Sequence, residues 1–205
     1  MATMREIFDL NGSDKGTKKH KYDRCYEHYM RDKKDDQLNI LEIGCFKGDS
    51  IGAWVDYFPH ATIYTIDIFD RVKSEEIDIL KHERVKWLKG DSTHVVLPHN
   101  MRKEWGDVKF DFIIDDGAHW PEANRKTFEN CMPFLAEDGT YFIEDVFMLD
   151  RPWGNTAWTQ KHRQRYILGE HIRLMTMLED SRYDLKHYDY HRQHPDSYIL
   201  RVQNA

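Results

Sequence analysis

Three acidic residues stand at the points where two apolar, β-favouring runs of this sequence end. Asp116 follows FDFII within the segment IDDGAHW (114–120), and Glu144 and Asp145 follow TYFI within YFIEDV (141–146). Because the carboxyl ends of neighbouring parallel strands lie side by side, we expect these acids to converge. Converging carboxylates repel one another unless a hard cation such as Mg²⁺ neutralises them. The spacing therefore predicts a divalent metal site made of these three acids.

The residues around these acids have their own expected directions. His119 follows Asp116 by three residues, so we expect it beside the metal, where an imidazole can serve as a general base. Strand alternation directs Asp115 away from Asp116, towards a cofactor or a helix cap. The same alternation points Glu144 and Asp145 to opposite faces, so both reach one ion only if the strand has already ended.

A glycine-containing turn follows the first expected strand, in the segment LEIGCFKG (41–48). Gly44 and Gly48 allow a tight turn and let a ligand approach the main chain closely. Asp67 ends the next strand, where a doubly wound fold places the carboxylate that binds a ribose diol. This arrangement predicts a nucleoside-containing cofactor at the same edge of the sheet as the acids.

Two cofactor classes suit such a turn, the nicotinamide dinucleotides and S-adenosylmethionine. The glycine spacing here is G-x-x-x-G with an acid at Glu42, whereas dinucleotide folds use G-x-G-x-x-G. A nearby carboxylate repels a pyrophosphate but attracts the ammonium and sulfonium of S-adenosylmethionine, which is therefore favoured over NAD(P). Asp91 and Ser92, after the third strand, are expected at the adenine edge, although Asp91 also suits an ordinary turn.

The elements that must position these residues alternate between strands and helices. Apolar, β-branched runs predict five strands, at 38–44, 61–68, 85–91, 109–116 and 139–146. Helical spacing predicts helices at 50–58, 74–83, 121–135 and 156–180, with a weaker stretch ending near 104. The last two runs, 183–190 and 197–203, leave no room for a helix and must form a hairpin. The pattern predicts an α/β fold, a doubly wound, seven-stranded mixed sheet with a C-terminal antiparallel β-hairpin.

Length and composition limit the organisation and the partners. At 205 residues the chain is long enough for one buried core and too short for two. We expect the charge-rich residues 1–37 to form an N-terminal extension or lid that packs over one edge of the domain at 38–205. The net charge of −6 argues against nucleic acid as the main partner.

The sequence also indicates where the protein is found. It contains neither an apolar run of about 18 residues nor the apolar core of a secretory signal, so no membrane association is expected. Cys25, Cys45 and Cys131 lack CxxC spacing and are expected to be free thiols. Together these features favour a cytoplasmic protein.

Aromatic residues near the expected site are candidates for binding an acceptor. Five residues of the extension form a lid in one interpretation and simply pack the extension onto the sheet in another: Lys15, His20, Tyr22, Tyr26 and Tyr29. Trp153 and Trp158 lie in the arginine-rich stretch 147–166, after the metal-bearing strand. Planar side chains suit sugar recognition, but such loops also form dimer contacts, so a homo-oligomer is left open.

The combined motifs resemble those of class I S-adenosylmethionine-dependent methyltransferases. More narrowly, GSDKGTKKHKYDRCYEHY (12–29), LEIGCFKGDSIGAW (41–54), DDGAH and the EDV strand end resemble the macrolide-sugar O-methyltransferases of mycinamicin and demethylmacrocin type. The resemblance covers most of residues 11–150. It implies a Rossmann-like class I fold, S-adenosylmethionine and Mg²⁺ as cofactors, and a deoxysugar or glycan hydroxyl as acceptor. It also implies that His119 is the base and that Asp116, Glu144 and Asp145 are the metal ligands.

Three alternatives stay open beside this interpretation. The 28-residue gap from Asp116 to Glu144 also resembles the metal spacing in catechol O-methyltransferase, so a catechol-like small molecule is an alternative acceptor. The macrolide enzymes have a large N-terminal domain without a counterpart in this sequence, which leaves the acceptor and the oligomeric arrangement open. Cephalosporin hydroxylase-type proteins resemble the same strand-end metal site. A cofactor-binding subunit of a glycan-modifying complex would need no catalysis, but a structural protein has no need of four convergent polar groups.

Overall fold

The computed structural model describes residues 2–205 as a seven-stranded sheet with apolar cores on both faces. The strands are β1 (Asn39–Ile43), β2 (Thr62–Asp67), β3 (Val85–Lys89), β4 (Phe110–Asp115), β5 (Leu135–Ile143), β6 (Tyr183–Asp189) and β7 (Tyr198–Asn204). The helices are α1 (Met4–Asn11), α2 (Asp23–Met30), α3 (Asp49–Tyr57), α4 (Leu97–Trp105), α5 (Pro121–Cys131), α6 (Ala157–Lys161) and α7 (Leu168–Leu178).

The sheet has the strand order β3-β2-β1-β4-β5-β7-β6. The first five strands pair in parallel, whereas β7 is antiparallel to both β5 and β6. The predicted mixed sheet with its C-terminal hairpin is therefore confirmed. The chain starts at β1 and builds outward in both directions, so the strand order reverses between β1 and β4. Open α/β sheets bind ligands at such a switch point.

Three expected elements differ from the prediction. Segment 74–83 forms two 3₁₀ turns, Ser74–Glu76 and Asp78–Lys81, rather than one helix. The expected helix at 156–180 is split into α6 and α7, because residues 160–165 present no buried side chain that would hold a longer helix. β5 begins at Leu135 and already ends at Ile143.

The N-terminal extension packs into the main core through α1 and α2. Phe8 and Tyr26 meet the edge of Trp54, with ring centroids 5.0 and 5.2 Å away. Tyr26 also contacts Phe142 of β5 at 5.0 Å. The extension therefore lies over the middle strands, and it also reaches the edge strand β6, where the Tyr29 hydroxyl lies 2.6 Å from that of Tyr188. Met1 of the predicted extension lies outside the described residues.

The three cysteines are buried free thiols, and their cellular compartment stays a prediction. Over residues 2–205, no helix combines the length and the apolar character that a bilayer crossing requires. The longest, α5 and α7, have 11 residues each, whereas a span takes about 20.

Candidate active site

Three neighbouring strands end at the same level of the sheet and carry the residues of the site. The register pairs Ile43 of β1 with Asp115 of β4, and Asp115 with Ile143 of β5. This pairing continues one step further, because the Asp116 N–H donates to the Ile43 carbonyl (3.0 Å) and the Glu144 N–H to the Asp115 carbonyl (2.9 Å). The predicted acids are thus held by backbone hydrogen bonds at the switch point between β1 and β4.

The glycine turn allows the close approach of these strand ends. Gly44 has φ +96°, and a Cβ added there would lie 2.2 Å from the carbonyl oxygen of Asp116. Gly48 has φ +84° and precedes the first residue of α3. A Cβ added at Gly48 would lie 2.5 Å from Cγ2 of Ile79. Both positions need a left-handed backbone without a side chain, which only glycine adopts without strain.

Asp116, His119 and Asp145 converge, with one ligand atom of each within 4.8 Å of the others. The backbone of His119 (φ 61°) and that of Asp145 (φ 54°) are left-handed, which is uncommon for residues with a side chain and concentrates at functional sites. Since β5 has ended at Ile143, this turn breaks the strand alternation and brings Asp145 to the side of Asp116. Within residues 2–205 the buried Nδ1 of His119 has no hydrogen-bond partner.

Asp145 is also tied to the N-terminal extension. Its Oδ1 accepts a 2.7 Å hydrogen bond from the Tyr22 hydroxyl and lies 3.5 Å from Nδ1 of His20. Burial raises the pKa of Asp145, and the imidazoles of His119 and His20 oppose that rise. The extension therefore contributes directly to the electrostatics of the site.

Glu144 faces a lysine instead of the Asp116–His119–Asp145 group. Its Oε2 lies 2.6 Å from Nζ of Lys15, and its Oε1 accepts a hydrogen bond from the Tyr26 hydroxyl. The same ammonium also contacts Asp116, so Glu144 and Asp116 meet across Lys15, and the convergence of all three acids on one metal ion stays a prediction. Glu144 comes before the left-handed turn at Asp145, so the turn that redirects the side chain of Asp145 does not redirect that of Glu144.

Lys15 is the central cation of the site, whereas sequence reasoning assigns it either to a lid or to packing of the extension. Its ammonium lies 2.5 Å from Oδ2 of Asp116, 2.6 Å from Glu144 and 3.8 Å from Oε1 of Glu42, and its side chain is 1% exposed. Burial by itself would lower the pKa of Lys15, but these three acids raise it well above its usual value. The lysine is therefore held in its charged form.

Glu42, expected to attract a cofactor cation, is fully buried. The Ser50 hydroxyl donates to its Oε1 at 2.5 Å, and the Trp54 indole N–H donates to its Oε2. Burial raises the pKa of Glu42 to about 7. Because the chain's own donors and Lys15 already surround this carboxylate, the expected direct contact with a cofactor finds no support in its geometry.

Asp67 holds the glycine turn in place. Its Oδ2 accepts the N–H groups of Cys45 (2.7 Å) and Phe46 (3.1 Å), and its Oδ1 accepts that of Phe69 (2.7 Å). A carboxylate has about four acceptor positions, so one stays available for a ribose hydroxyl. Phe46 and Ile68, which sequence reasoning missed, are 51% and 46% exposed beside it. Exposed apolar side chains next to a polar acceptor suit a purine nucleoside.

The three other residues expected to bind the cofactor form hydrogen bonds with other residues of the protein. Asp91 accepts the backbone N–H (2.9 Å) and hydroxyl (2.7 Å) of Thr93, which makes it an ordinary turn residue. The Ser92 hydroxyl lies 2.8 Å from a threonine hydroxyl of α5. Asp115 accepts the Asn124 amide at 3.2 Å, and burial raises its pKa to about 6. Their geometry is explained without a cofactor.

The aromatic candidates divide into two groups. Three of them are buried between the extension and the sheet: His20, Tyr22 and Tyr26. Trp153 is half-buried and stacks on His191 at 4.4 Å, whereas Trp158 is 54% exposed above His162. The buried aromatic residues pack the extension onto the sheet, and the two tyrosines hydrogen-bond Asp145 and Glu144. Among these five candidates, Trp158 is therefore the one whose ring is mostly exposed to solvent.

A further aromatic group includes Trp120, which follows His119 in the sequence and which sequence reasoning missed. The Arg165 guanidinium sits 4.7 Å from the ring centre of Trp120, and Tyr166 meets the edge of Phe147 at 5.1 Å. The Trp158 indole N–H donates to the Tyr166 hydroxyl at 3.4 Å. These contacts bring the connection between α6 and α7 against the residue that follows His119.

Comparisons with known proteins agree with this geometry. Residues 41–146 match the family described as "Methyltransferase domain". The mycinamicin VI 2''-O-methyltransferase of Micromonospora griseorubida is 29% identical over 135 residues, which cover 62% of this chain and 32% of that protein. The L-olivosyl-oleandolide 3-O-methyltransferase of Streptomyces antibioticus is 31% identical over 142 residues, covering 66% of this chain and 35% of that protein.

Among solved structures, the MycE methyltransferase from the mycinamycin biosynthetic pathway, in complex with Mg and SAH, superposes with a TM-score of 0.73. It is 24% identical, and the match covers all of this chain and 55% of that one. At this identity the likeness shows the fold. The chain spans about a third of the length of the curated relatives it matches.

Proposed function

The chain belongs to the methyltransferase domain family, and from this premise we propose that it is a Mg²⁺-dependent O-methyltransferase. The methyl donor in this proposal is S-adenosylmethionine and the acceptor is a hydroxyl of a deoxysugar or glycan. The observation that carries the proposal is the convergence of Asp116, His119 and Asp145 at the carboxyl end of a parallel sheet, beside a glycine turn. Two acids and an imidazole at this point suit the activation of a hydroxyl.

The glycine turn fits S-adenosylmethionine. Gly44 and Gly48 keep the turn tight, and the remaining acceptor position of Asp67 would bind a ribose hydroxyl. The exposed side chains of Phe46 and Ile68 would offer apolar surface to the adenine. S-adenosylmethionine supplies an electrophilic methyl group when it is bound here.

The acids fit Mg²⁺. This ion is usually bound by one or two carboxylates and keeps several waters, and Asp116 and Asp145 offer two converging carboxylates. Glu144, the third predicted ligand, would join them only if it released Lys15. Bound Mg²⁺ would lower the pKa of an acceptor hydroxyl.

His119 is proposed as the general base. Mg²⁺ prefers oxygen ligands, so an imidazole beside it stays free to accept a proton. The His119 Nε2 lies 3.8 Å from Oδ1 of Asp116, next to the place where the acceptor hydroxyl would be held. Removal of the hydroxyl proton by such a base is typically worth about 10²–10⁴-fold in rate.

A sugar acceptor is supported by the relatives and by the aromatic faces. The curated relatives are named as methyltransferases of macrolide and tetracenomycin compounds, and several of those names include a sugar. In this chain Trp120, which follows His119 in the sequence, lies under the Arg165 guanidinium, and Trp158 is 54% exposed. Flat apolar faces combined with a guanidinium donor suit the alternating faces and hydroxyls of a sugar ring.

Calorimetry followed by a transfer assay tests this proposal. S-adenosylmethionine binding is measured with and without Mg²⁺, and methyl transfer is then followed on deoxysugar glycosides and on catechols. Transfer to a glycoside that EDTA abolishes and Mg²⁺ restores would support the proposal. Catechol turnover alone would move the acceptor to small phenols. Cofactor binding without transfer to either acceptor class would favour a non-catalytic subunit.

A further inference from the structure

A buried ammonium lies among the acids that are proposed to hold a metal ion. Lys15 Nζ is 2.5 Å from Oδ2 of Asp116 and 2.6 Å from Oε2 of Glu144. A cation that bridges these two carboxylates must lie between them, and that place is filled by the lysine. The contacts join positions 101 and 129 residues apart in the sequence, so they result from the tertiary fold.

Asp116 is shared between two environments. Its Oδ2 contacts Lys15, whereas its Oδ1 faces Nε2 of His119 at 3.8 Å, on the side where Asp145 also converges. A divalent ion on the Oδ1 side would lie within a few ångströms of the ammonium. Two cations at that separation, largely removed from water, repel each other strongly.

A third carboxylate gives the ammonium an alternative partner. Glu42 Oε1 lies 3.8 Å from Lys15 Nζ and is fixed by Ser50 and Trp54, so this acid cannot follow a metal ion. If the ammonium moved towards Glu42, it would stay buried and paired. Asp116 and Glu144 would then both be free.

We propose that the Lys15 ammonium and a divalent metal ion are alternative occupants of the position between Asp116 and Glu144, and that Lys15 moves towards Glu42 when the metal binds. The inference rests on the proposed function only in taking the metal site to be real. Lys15 thereby becomes a positioning residue that keeps the acids paired before the metal arrives. It also weakens metal binding, because each binding event must separate a buried ion pair.

Metal affinity of a lysine variant tests the exchange directly. Mn²⁺ binding is measured by calorimetry on the full chain for wild type, Lys15→Met and Lys15→Gln. Removing the competing charge should raise the Mn²⁺ affinity by about tenfold or more. Lys18→Met is the matched control, since Lys18 lies in the same segment but is exposed, and within residues 2–205 its Nζ hydrogen-bonds the carbonyl of Gly12 and no acid of the site. Its affinity should stay that of wild type.

An unchanged or weaker Mn²⁺ affinity in the Lys15 variants would overturn the exchange, because a purely structural lysine supports the acids and its loss weakens the site. The glutamine variant keeps N–H donors for both acids, so it serves where Lys15→Met does not fold. Tight binding by the variants with none by wild type would support the exchange and contradict Mg²⁺ dependence of the native chain.

A second variant tests the exchange without altering Lys15. Under the exchange, Glu144 becomes a metal ligand, so Glu144→Gln should lower the Mn²⁺ affinity by about tenfold or more. Glu122→Gln is the control, since among the described residues Glu122 forms its ion pair with Lys126 on the surface of α5. If Glu144→Gln binds Mn²⁺ as wild type does, Glu144 stays with the lysine and the exchange is wrong.

Discussion

The hydroxyl of Tyr22 donates a 2.7 Å hydrogen bond to Oδ1 of Asp145, across 123 positions of sequence. Tyr22 is fully buried at the start of α2, and Asp145 occupies the left-handed turn after β5. The N-terminal extension therefore contacts the Asp116–His119–Asp145 group directly and orients one of its two carboxylates. This relationship leads to the first of the predictions below.

Tyr22→Phe should weaken divalent metal binding. The hydroxyl fixes the orientation of Asp145, and removing such a partner of a metal ligand typically costs about 10–100-fold in affinity. Calorimetry with Mn²⁺ measures the change. Tyr57→Phe is the control, because Tyr57 is buried on α3 and, among residues 2–205, makes no hydrogen bond to the site acids. Equal affinities in the two variants would show that the Tyr22 hydroxyl does not orient Asp145.

His119→Ala should lower methyl transfer at neutral pH by about 10²–10⁴-fold, because it removes the general base. Binding of S-adenosylmethionine and Mn²⁺ should persist, and kcat should regain part of its value as the pH rises and hydroxide replaces the base. His60→Ala, at an exposed turn before β2, is the control. Full activity of His119→Ala at neutral pH would remove the residue from the mechanism.

Gly44→Ala should destabilise the fold by about 2 kcal/mol or more, because the added Cβ lies 2.2 Å from the Asp116 carbonyl and φ is +96°. Gly169→Ala is the matched control. Gly169 is exposed in the first turn of α7, and nothing lies within 4 Å of a Cβ added there. Alanine at this position should therefore stabilise the folded protein by up to about 1 kcal/mol. Urea unfolding gives both values. If the two variants prove equally stable, the proposed close contact between the β1 and β4 ends is absent.

His171 should make stability depend on pH. Burial lowers the pKa of this imidazole below 6.5, although Asp150, 3.1 Å from its Nε2, partly opposes the shift. As the pH falls through 6.5, the unfolded chain takes up the proton before the folded one does, so stability is lost on acidification. His171→Gln should reduce the fall in Tm between about pH 7 and pH 5, and His60→Gln should not. Parallel Tm curves for wild type and His171→Gln would contradict this expectation.

The fold could be predicted because its signals are local. The apolar runs that end at Ile43, Asp67 and Asp115 predict the parallel strands, and the short gap between 190 and 197 requires the hairpin. Segment 74–83 misled the prediction because its buried residues, Ile77 and Leu80, are three apart, which a 3₁₀ turn satisfies as well as an α-helix does.

The site could be predicted only in part. Strand ends located all three acids, but the side on which Asp145 lies depends on its own left-handed backbone, which no sequence pattern announces. The position of Lys15 depends on packing of the extension over the middle of the sheet. One signal was present, since buried acids need a counter-charge and GSDKG carries a lysine within the motif that resembles the macrolide-sugar enzymes.

The most direct test of Mg²⁺-dependent sugar methylation is transfer of a radiolabelled methyl group from S-adenosylmethionine to a deoxysugar glycoside. The assay compares wild type with Mg²⁺, wild type with EDTA, and Asp145→Asn with Mg²⁺. We expect transfer in the first case, its loss in the second with recovery on added Mg²⁺, and a loss of about 10²-fold or more in the third. Equal transfer in all three would contradict a metal-dependent mechanism at Asp116 and Asp145.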